Sequence, residues 1–237
     1  MTRQETPIAQ VALVGLFVTA LITAQLTASK VLAFDLPVSI PVAGETLALP
    51  GAALAYALTF FASDIYAEIY GRRAAQVLVN VAFGLNFVML ALVWSTILAP
   101  AASSSTVAPD TFATVLGSST NIVIASLAAY LVSQNWDVLV FHYLRDLTGG
   151  AHLWLRNIGS TATSQLLDTA IFVGLGFYLV PLALGTGDPL PLAVVASLLV
   201  GQYLLKLAIA LIDTPFIYLV VGFIRRQEPA QAVPAAD

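Results

Sequence analysis

Residues Ile158–Leu184 read IGSTATSQLLDTAIFVGLGFYLVPLAL, 27 residues with a single charge, Asp168, close to their middle. An apolar run of this length exceeds the roughly 20 residues a helix needs to cross a bilayer. A carboxylate at the centre of such a run is costly in lipid and marks a functional or packing site by default. Working outward, five further apolar stretches can be drawn, about Ala9–Ala33, Gly51–Gly71, Ala74–Ala99, Thr120–Leu144 and Pro191–Phe223. Strict alternation does not persist along them, which excludes a barrel, whereas a helix satisfies every backbone polar group internally.

Composition agrees. Of 237 residues, 59 % are hydrophobic and only 9 % charged, against about 25 % in a soluble domain that must keep its surface wet. A soluble enzyme, a nucleic-acid binder and a disordered chain are excluded, and the length leaves room for about six spans with short loops. There are no cysteines, hence no disulfides, thiol chemistry or cysteine metal sites. The net charge of −4 offers no basic patch for nucleic acid. The expected fold is all-α and integral to the membrane, one six-helix domain over 1–226 with a disordered tail over 227–237. The apolar stretch after Met1–Glu5 is longer than the core of a cleaved signal peptide and reads as a retained first span.

Basic residues orient it. One set of alternate loops holds Arg3, Arg72, Arg73, Arg145, Arg156, Arg225 and Arg226, seven in all, and the other set holds none. The positive-inside rule puts both termini in the cytoplasm, in a multi-pass protein of the cell membrane. Between the first two spans, Asp35–Pro50 alternates apolar residues at Leu36, Val38, Ile40 and Val42 before a Gly44-Glu45 turn. It is either a hairpin on the external face or an interfacial loop. Span two ends Asp64-Ile65-Tyr66-Ala67-Glu68-Ile69-Tyr70-Gly71-Arg72, and span four ends Asp137-Val138-Leu139-Val140-Phe141-His142-Tyr143-Leu144-Arg145. The two share a faint echo of the kind internal repeats leave.

Asp168 is not alone at depth. Lys206 lies near the middle of span six, with Asp213 two turns on, and Asp64, Glu68 and Asp137 fall to the cytoplasmic side of mid-span. Asp168 with Lys206, at matching depth, is the obvious ion pair, and Asp137 or Asp64 has Arg145 or Arg72 below it. Carboxylates outnumber lysines, so the surplus must be protonated, reach a boundary arginine, or face water and ligand. Gln134 precedes Asp137, and Ser160, Thr161 and Gln165 precede Asp168. These donors and acceptors suit a polar heterocycle held at the midplane. Catalysis has no such support: His142 and His152 are too few for a metal site, and no phosphate loop or nucleophile motif occurs. No cofactor is expected.

The runs Ala28-Ser29-Lys30-Val31, Ser63–Gly71, Gln134 with Asp137–Arg145, and Trp154-Leu155-Arg156-Asn157 into Ser160-Thr161 and Gln165–Thr169, with the Lys206 region, resemble the queuosine precursor transporters. These are also called vitamin uptake transporters. The resemblance covers spans one to six. Lys30 departs from it, since some members carry Asn there. The resemblance implies import of a 7-deazaguanine base, such as the 7-cyano or 7-aminomethyl precursor of a modified tRNA nucleoside. It also implies a six-helix fold similar to the substrate-binding membrane subunits of energy-coupling-factor vitamin importers. On that reading Asp168 or Asp137 accepts the base's donor edge, Gln165 and Gln134 supply amides, and Lys206 balances charge. Ser160, Thr161 and Asp64 complete the candidates, and Phe60, Phe61 or Trp136 stacks on the ring. Any ATP coupling requires a separate subunit. The alternatives are a substrate-binding subunit for another vitamin-like heterocycle, or a sensor or assembly protein that transports nothing.

Overall fold

The computed structural model describes residues 8–149 and 153–227, without the side chains of 153–157, 210, 211, 213, 214 and 225–227. The chain order is α1 (Ile8–Thr27), β1 (Val31–Ile40), β2 (Gly44–Pro50), α2 (Ala53–Tyr70), α3 (Arg72–Leu98), α4 (Pro109–Gly117), α5 (Ser119–Leu147), α6 (Leu153–Gly174), a π-helical turn (Leu175–Leu179), α7 (Val180–Leu184) and α8 (Leu192–Gln227). Of the tail expected over 227–237, Gln227 ends α8, and residues 228–237, Arg3, Gly150 and His152 lie outside the described residues, as do the side chains of Arg156 and Asp213.

The protein is a mostly helical integral membrane protein, and five of its described helical stretches are long and apolar enough to cross a bilayer. The sequence reading expects six. The helix that falls short is α2, whose 18 residues carry Asp64 and Glu68 in their second half. At 1.5 Å per residue it reaches about 27 Å, just under the hydrocarbon thickness, and its two carboxylates lower its hydropathy. Elsewhere the expected stretches form helices, except that the first, expected over Ala9–Ala33, ends as α1 at Thr27, leaving Lys30 in the following turn and Val31–Ala33 in β1. That over 158–184 bends through the π-helical turn, and α8 outruns its predicted end with Pro215 inside it.

Packing relies on small residues. Ala62, Ala82 and Ala125 are fully buried, so helix backbones approach closely without side chains between them, as membrane helices do where lipid supplies no hydrophobic drive. One core joins α1, α2, α3 and the end of α8 around Phe17, Ile65, Leu78 and Val221. A second joins α1, α5, the π-helical turn and the start of α8 around Ala28, Ile122, Phe177 and Leu198.

The segment left open between hairpin and loop is a hairpin. β1 and β2 pair antiparallel from Val31 with Pro50 to Ile40 with Gly44, with an irregularity between Asp35 and Ile40. Its turn is Pro41–Ala43, one step earlier than expected. Val42 takes a positive φ of 72° there, and Gly44 opens β2 at φ 73°. The hairpin is tied down on α8. The Ala48 amide donates to Ser197 Oγ at 3.3 Å, and that hydroxyl donates to the Thr46 carbonyl at 3.3 Å. Gly201 makes the approach possible, because a Cβ there would collide with the Ala48 carbonyl oxygen. The end of β2 thereby becomes the roof of the cavity below.

Candidate transport cavity

Beneath the hairpin lies a cavity walled by α1, α2, α3, α5, α6 and α8. Its volume is about 80 Å³. A single water needs roughly 10–15 Å³ on the same measure, so there is room for several waters or a small planar solute. Pro50, Ala52 and Ala53 close one end, and Tyr56, Phe83, Tyr130 and Phe172 present rings to it.

Its charged residues are Asp168 from α6 and Lys206 from α8. Lys206 Nζ lies 2.5 Å from Asp168 Oδ2, with the two side chains 3 % and 16 % exposed. The ammonium also sits 5.6 Å from the centroid of the Tyr56 ring, within cation–π range. The other carboxylate oxygen, Oδ1, accepts a hydrogen bond from Ser133 of α5 at 3.2 Å. Each carboxylate oxygen can accept twice, so Asp168 retains acceptor capacity toward the cavity after both bonds are made.

One turn before Lys206, Gln202 faces the same cavity. It is buried, and among the described residues its Oε1 has no hydrogen-bond partner. A buried acceptor without a donor costs on the order of 1–3 kcal/mol. On the opposite wall Gln25 is buried, and its Oε1 accepts from Ser126 at 3.4 Å. The cavity is thus mostly apolar, with a few acceptors grouped around a charge pair that cancels.

The other candidates gather along the α5–α6 seam. Asp137 is half-buried and accepts a hydrogen bond from Ser164 Oγ at 3.2 Å. This mirrors the bond from Ser133 to Asp168. Ser133-Gln134-Asn135-Trp136-Asp137 on one helix and Ser164-Gln165-Leu166-Leu167-Asp168 on the other are the same Ser-Gln-x-x-Asp run. The serine of each clasps the aspartate of the other. Asp137 meets Ser164 rather than the expected Arg145 or Arg72. Gln165 is half-buried with an unpaired Oε1 and Gln134 is exposed, and neither lines the cavity. Ser160 is buried, while Thr161 and Asp64 are exposed on the chain, all three away from the cavity wall. Phe60 packs edge-on against Tyr56 at 4.9 Å, and Trp136 donates to Thr163 at 3.2 Å. The rings expected to stack on a ligand therefore stand behind or beside the cavity.

Tyr56, Ser133, Tyr130, Gln25 and Gln202 are not among the residues that the sequence singles out. The repeated Ser-Gln-x-x-Asp run was the available signal for the clasp. Among the described residues no cluster of three or more metal-ligating side chains occurs.

The helical bundle thus encloses a mostly apolar cavity that carries a neutral charge pair and a few acceptors. Residues 50–220 match the family described as "Putative vitamin uptake transporter", and the chain belongs to that family. It is a multi-pass transporter of the cell membrane, not an enzyme. It is 34 % identical over 164 residues to a Bacillus subtilis protein named "Probable queuosine precursor transporter", covering 69 % of this chain and 67 % of that one. A Haemophilus influenzae protein of the same name is 36 % identical over 91 residues, 38 % of this chain and 35 % of the relative. No solved structure matches the chain.

Proposed function

We propose that the chain imports a queuosine precursor, a 7-deazaguanine base such as the 7-cyano or 7-aminomethyl form, and binds it in the cavity beneath the hairpin. The observation that carries the reading is the Asp168 carboxylate, held by Lys206 and Ser133 yet open to the cavity. A deazaguanine presents N–H and amino donors along one edge. A charged acceptor at a partly desolvated site makes hydrogen bonds about twice as strong as neutral ones. Gln202 Oε1 supplies a second acceptor whose unmet need a ligand N–H would satisfy. The rings of Tyr56 and Tyr130 suit the flat face. The names of the relatives support the same substrate class.

In this reading α2 is the sixth crossing, shielded by α1, α3 and α8, and the seven-to-none arginine asymmetry places both termini in the cytoplasm. The fold is then similar to the membrane substrate-binding subunits of energy-coupling-factor importers, and a separate energising subunit is a compatible partner. The family's printed description favours a second reading, in which the cavity takes another vitamin-like heterocycle.

Uptake of labelled 7-cyano-7-deazaguanine into cells lacking their own precursor transport tests the proposal. The wild-type chain should restore uptake, with guanine and unrelated vitamins failing to compete. Competition by a vitamin but not by deazaguanines would establish the second reading, and absence of any uptake would overturn both.

A further inference from the structure

We propose that a solute leaves the cavity through an aqueous cleft between α3 and the α5–α6 pair, past a gate made by the stacked rings of Phe83 and Tyr130, which Gln76 and Asn80 latch. The inference rests on the proposed function for the identity of the solute and for the membrane face that the cleft meets. Wall residues mark depth below the hairpin. On α5 they run Ile122, Ser126, Ala129 and Tyr130, and α3 contributes Phe83. Tyr130 is thus the deepest of the α5 set, and its ring stacks on Phe83 with centroids 4.6 Å apart and planes inclined by 28°. The Tyr130 hydroxyl donates to Asn80 Oδ1 at 3.0 Å and accepts from Gln76 Nε2, which also donates to Asn80 Oδ1 at 3.1 Å. Gln76 and Asn80 stand off the cavity wall, so they hold the ring without touching a solute in the cavity.

Beyond this stack the bundle parts. Toward the hairpin, α5 joins the core around Ile122 and Leu198. The core at the other end is made by α1, α2, α3 and the end of α8. The α5 helix runs on to Leu147, yet none of its described residues after Ser133 is buried. Its exposed residues there divide by side. Gln134 lies one turn past Tyr130 on the cavity face, while Val132, about 160° round the helix from Gln134, is apolar and 46 % exposed. On α6, exposed Thr161 lies two turns from Asp168 on the same face, and α3 turns exposed Gln76 and Asn80 toward Tyr130. Polar side chains exposed within spans are costly against lipid and belong beside water. The polar side therefore faces a water-filled gap and the apolar side faces hydrocarbon. The gap leads toward the helix ends that carry Arg72, Arg73 and Arg145. It gives Gln134 and Thr161, which are off the cavity wall, a place on the solute's path.

The chain has no cysteine, so single introduced cysteines report water directly. A membrane-impermeant methanethiosulfonate reagent attacks the thiolate, whereas a thiol against lipid stays protonated. In inside-out vesicles Gln134→Cys should react about 100-fold faster than Val132→Cys. Ser126→Cys, on the cavity wall, should react slowly while the latch is intact. Adding Gln76→Met/Asn80→Leu, or Tyr130→Phe, which keeps the ring and removes the hydroxyl, should speed modification of Ser126→Cys by at least about tenfold. Equal rates at Gln134→Cys and Val132→Cys overturn the cleft. Faster modification of Gln134→Cys from outside intact cells than in inside-out vesicles overturns its role in release. Rapid modification of Ser126→Cys with the latch intact, or a rate that neither latch change moves, overturns the gate. Failure of deazaguanine uptake with the expected accessibility pattern overturns the proposed function and leaves the cleft standing. The two latch changes alter different side chains, so misfolding of one leaves the other to decide.

Discussion

Asp168 and Asp137 begin with the same local sequence and end in different chemistry. Each closes a Ser-Gln-x-x-Asp run in the second half of a long helix, and each accepts a hydrogen bond from the serine hydroxyl of the other's helix. The difference comes from a third helix. α8 delivers Lys206 to Asp168 and, among the described residues, no cation reaches Asp137; of the two carboxylates Asp168 borders the cavity. Two carboxylates on one seam thus divide the work. One is neutralised and presented to a ligand, while the other is hydrogen-bonded within the wall.

The comparison breaks most visibly at Asp168. Asp168→Asn leaves the Lys206 ammonium buried without its partner, and breaking a buried pair from one side costs about 3–5 kcal/mol. A large drop in thermal stability and a loss of uptake of about 100-fold or more are expected, read by melting in detergent and by transport. Restoring neutrality with Asp168→Asn/Lys206→Gln should recover most of the stability and little of the uptake. Removal of both charges is far less damaging than removal of one. Uptake recovering with stability would reduce the pair to a packing element.

Gln202→Leu sharpens the comparison from the cavity side. Because Gln202 Oε1 has no donor among the described residues, its loss should leave stability unchanged or raise it by about 1 kcal/mol, while weakening ligand binding about tenfold. Gln165→Leu removes an unpaired oxygen that is off the wall and should leave affinity within about twofold. A similarly small effect is expected at Asp137→Asn. The amide oxygen still accepts from Ser164, so stability should change by less than about 1 kcal/mol and uptake by no more than about threefold.

The two regions also mark where the sequence is legible. Hydropathy and length identify the membrane helices, because lipid penalises any other arrangement. Matching depth predicts the pairing of Asp168 with Lys206, since each would be prohibitively costly alone. The same reasoning miscarries for Asp137, where a neutral serine rather than an arginine answers the carboxylate. Helix rotation is the hidden variable. The polar residues of α1 and α8 give these helices almost no net amphipathic direction, so no single apolar stripe tells which side faces the bundle. For that reason Gln25 and Gln202 could not be singled out from other intramembrane polar groups, and Tyr56 could not be preferred over its neighbour Phe60. The hairpin was half legible: its alternation is in the sequence, but its seat on α8 depends on Gly201 and Ser197, about 150 residues away.

The most direct measurement is ligand-induced stabilisation of the purified chain by 7-cyano-7-deazaguanine, compared between wild type, Asp137→Asn and Asp168→Asn/Lys206→Gln. At a ligand concentration 100 times Kd, one binding site stabilises by about 2.7 kcal/mol. Wild type and Asp137→Asn should both show a shift of that order, and the double variant should show almost none. A double variant that is stabilised like wild type, or an Asp137→Asn chain that has lost the response, would contradict the assignment of the ligand to Asp168.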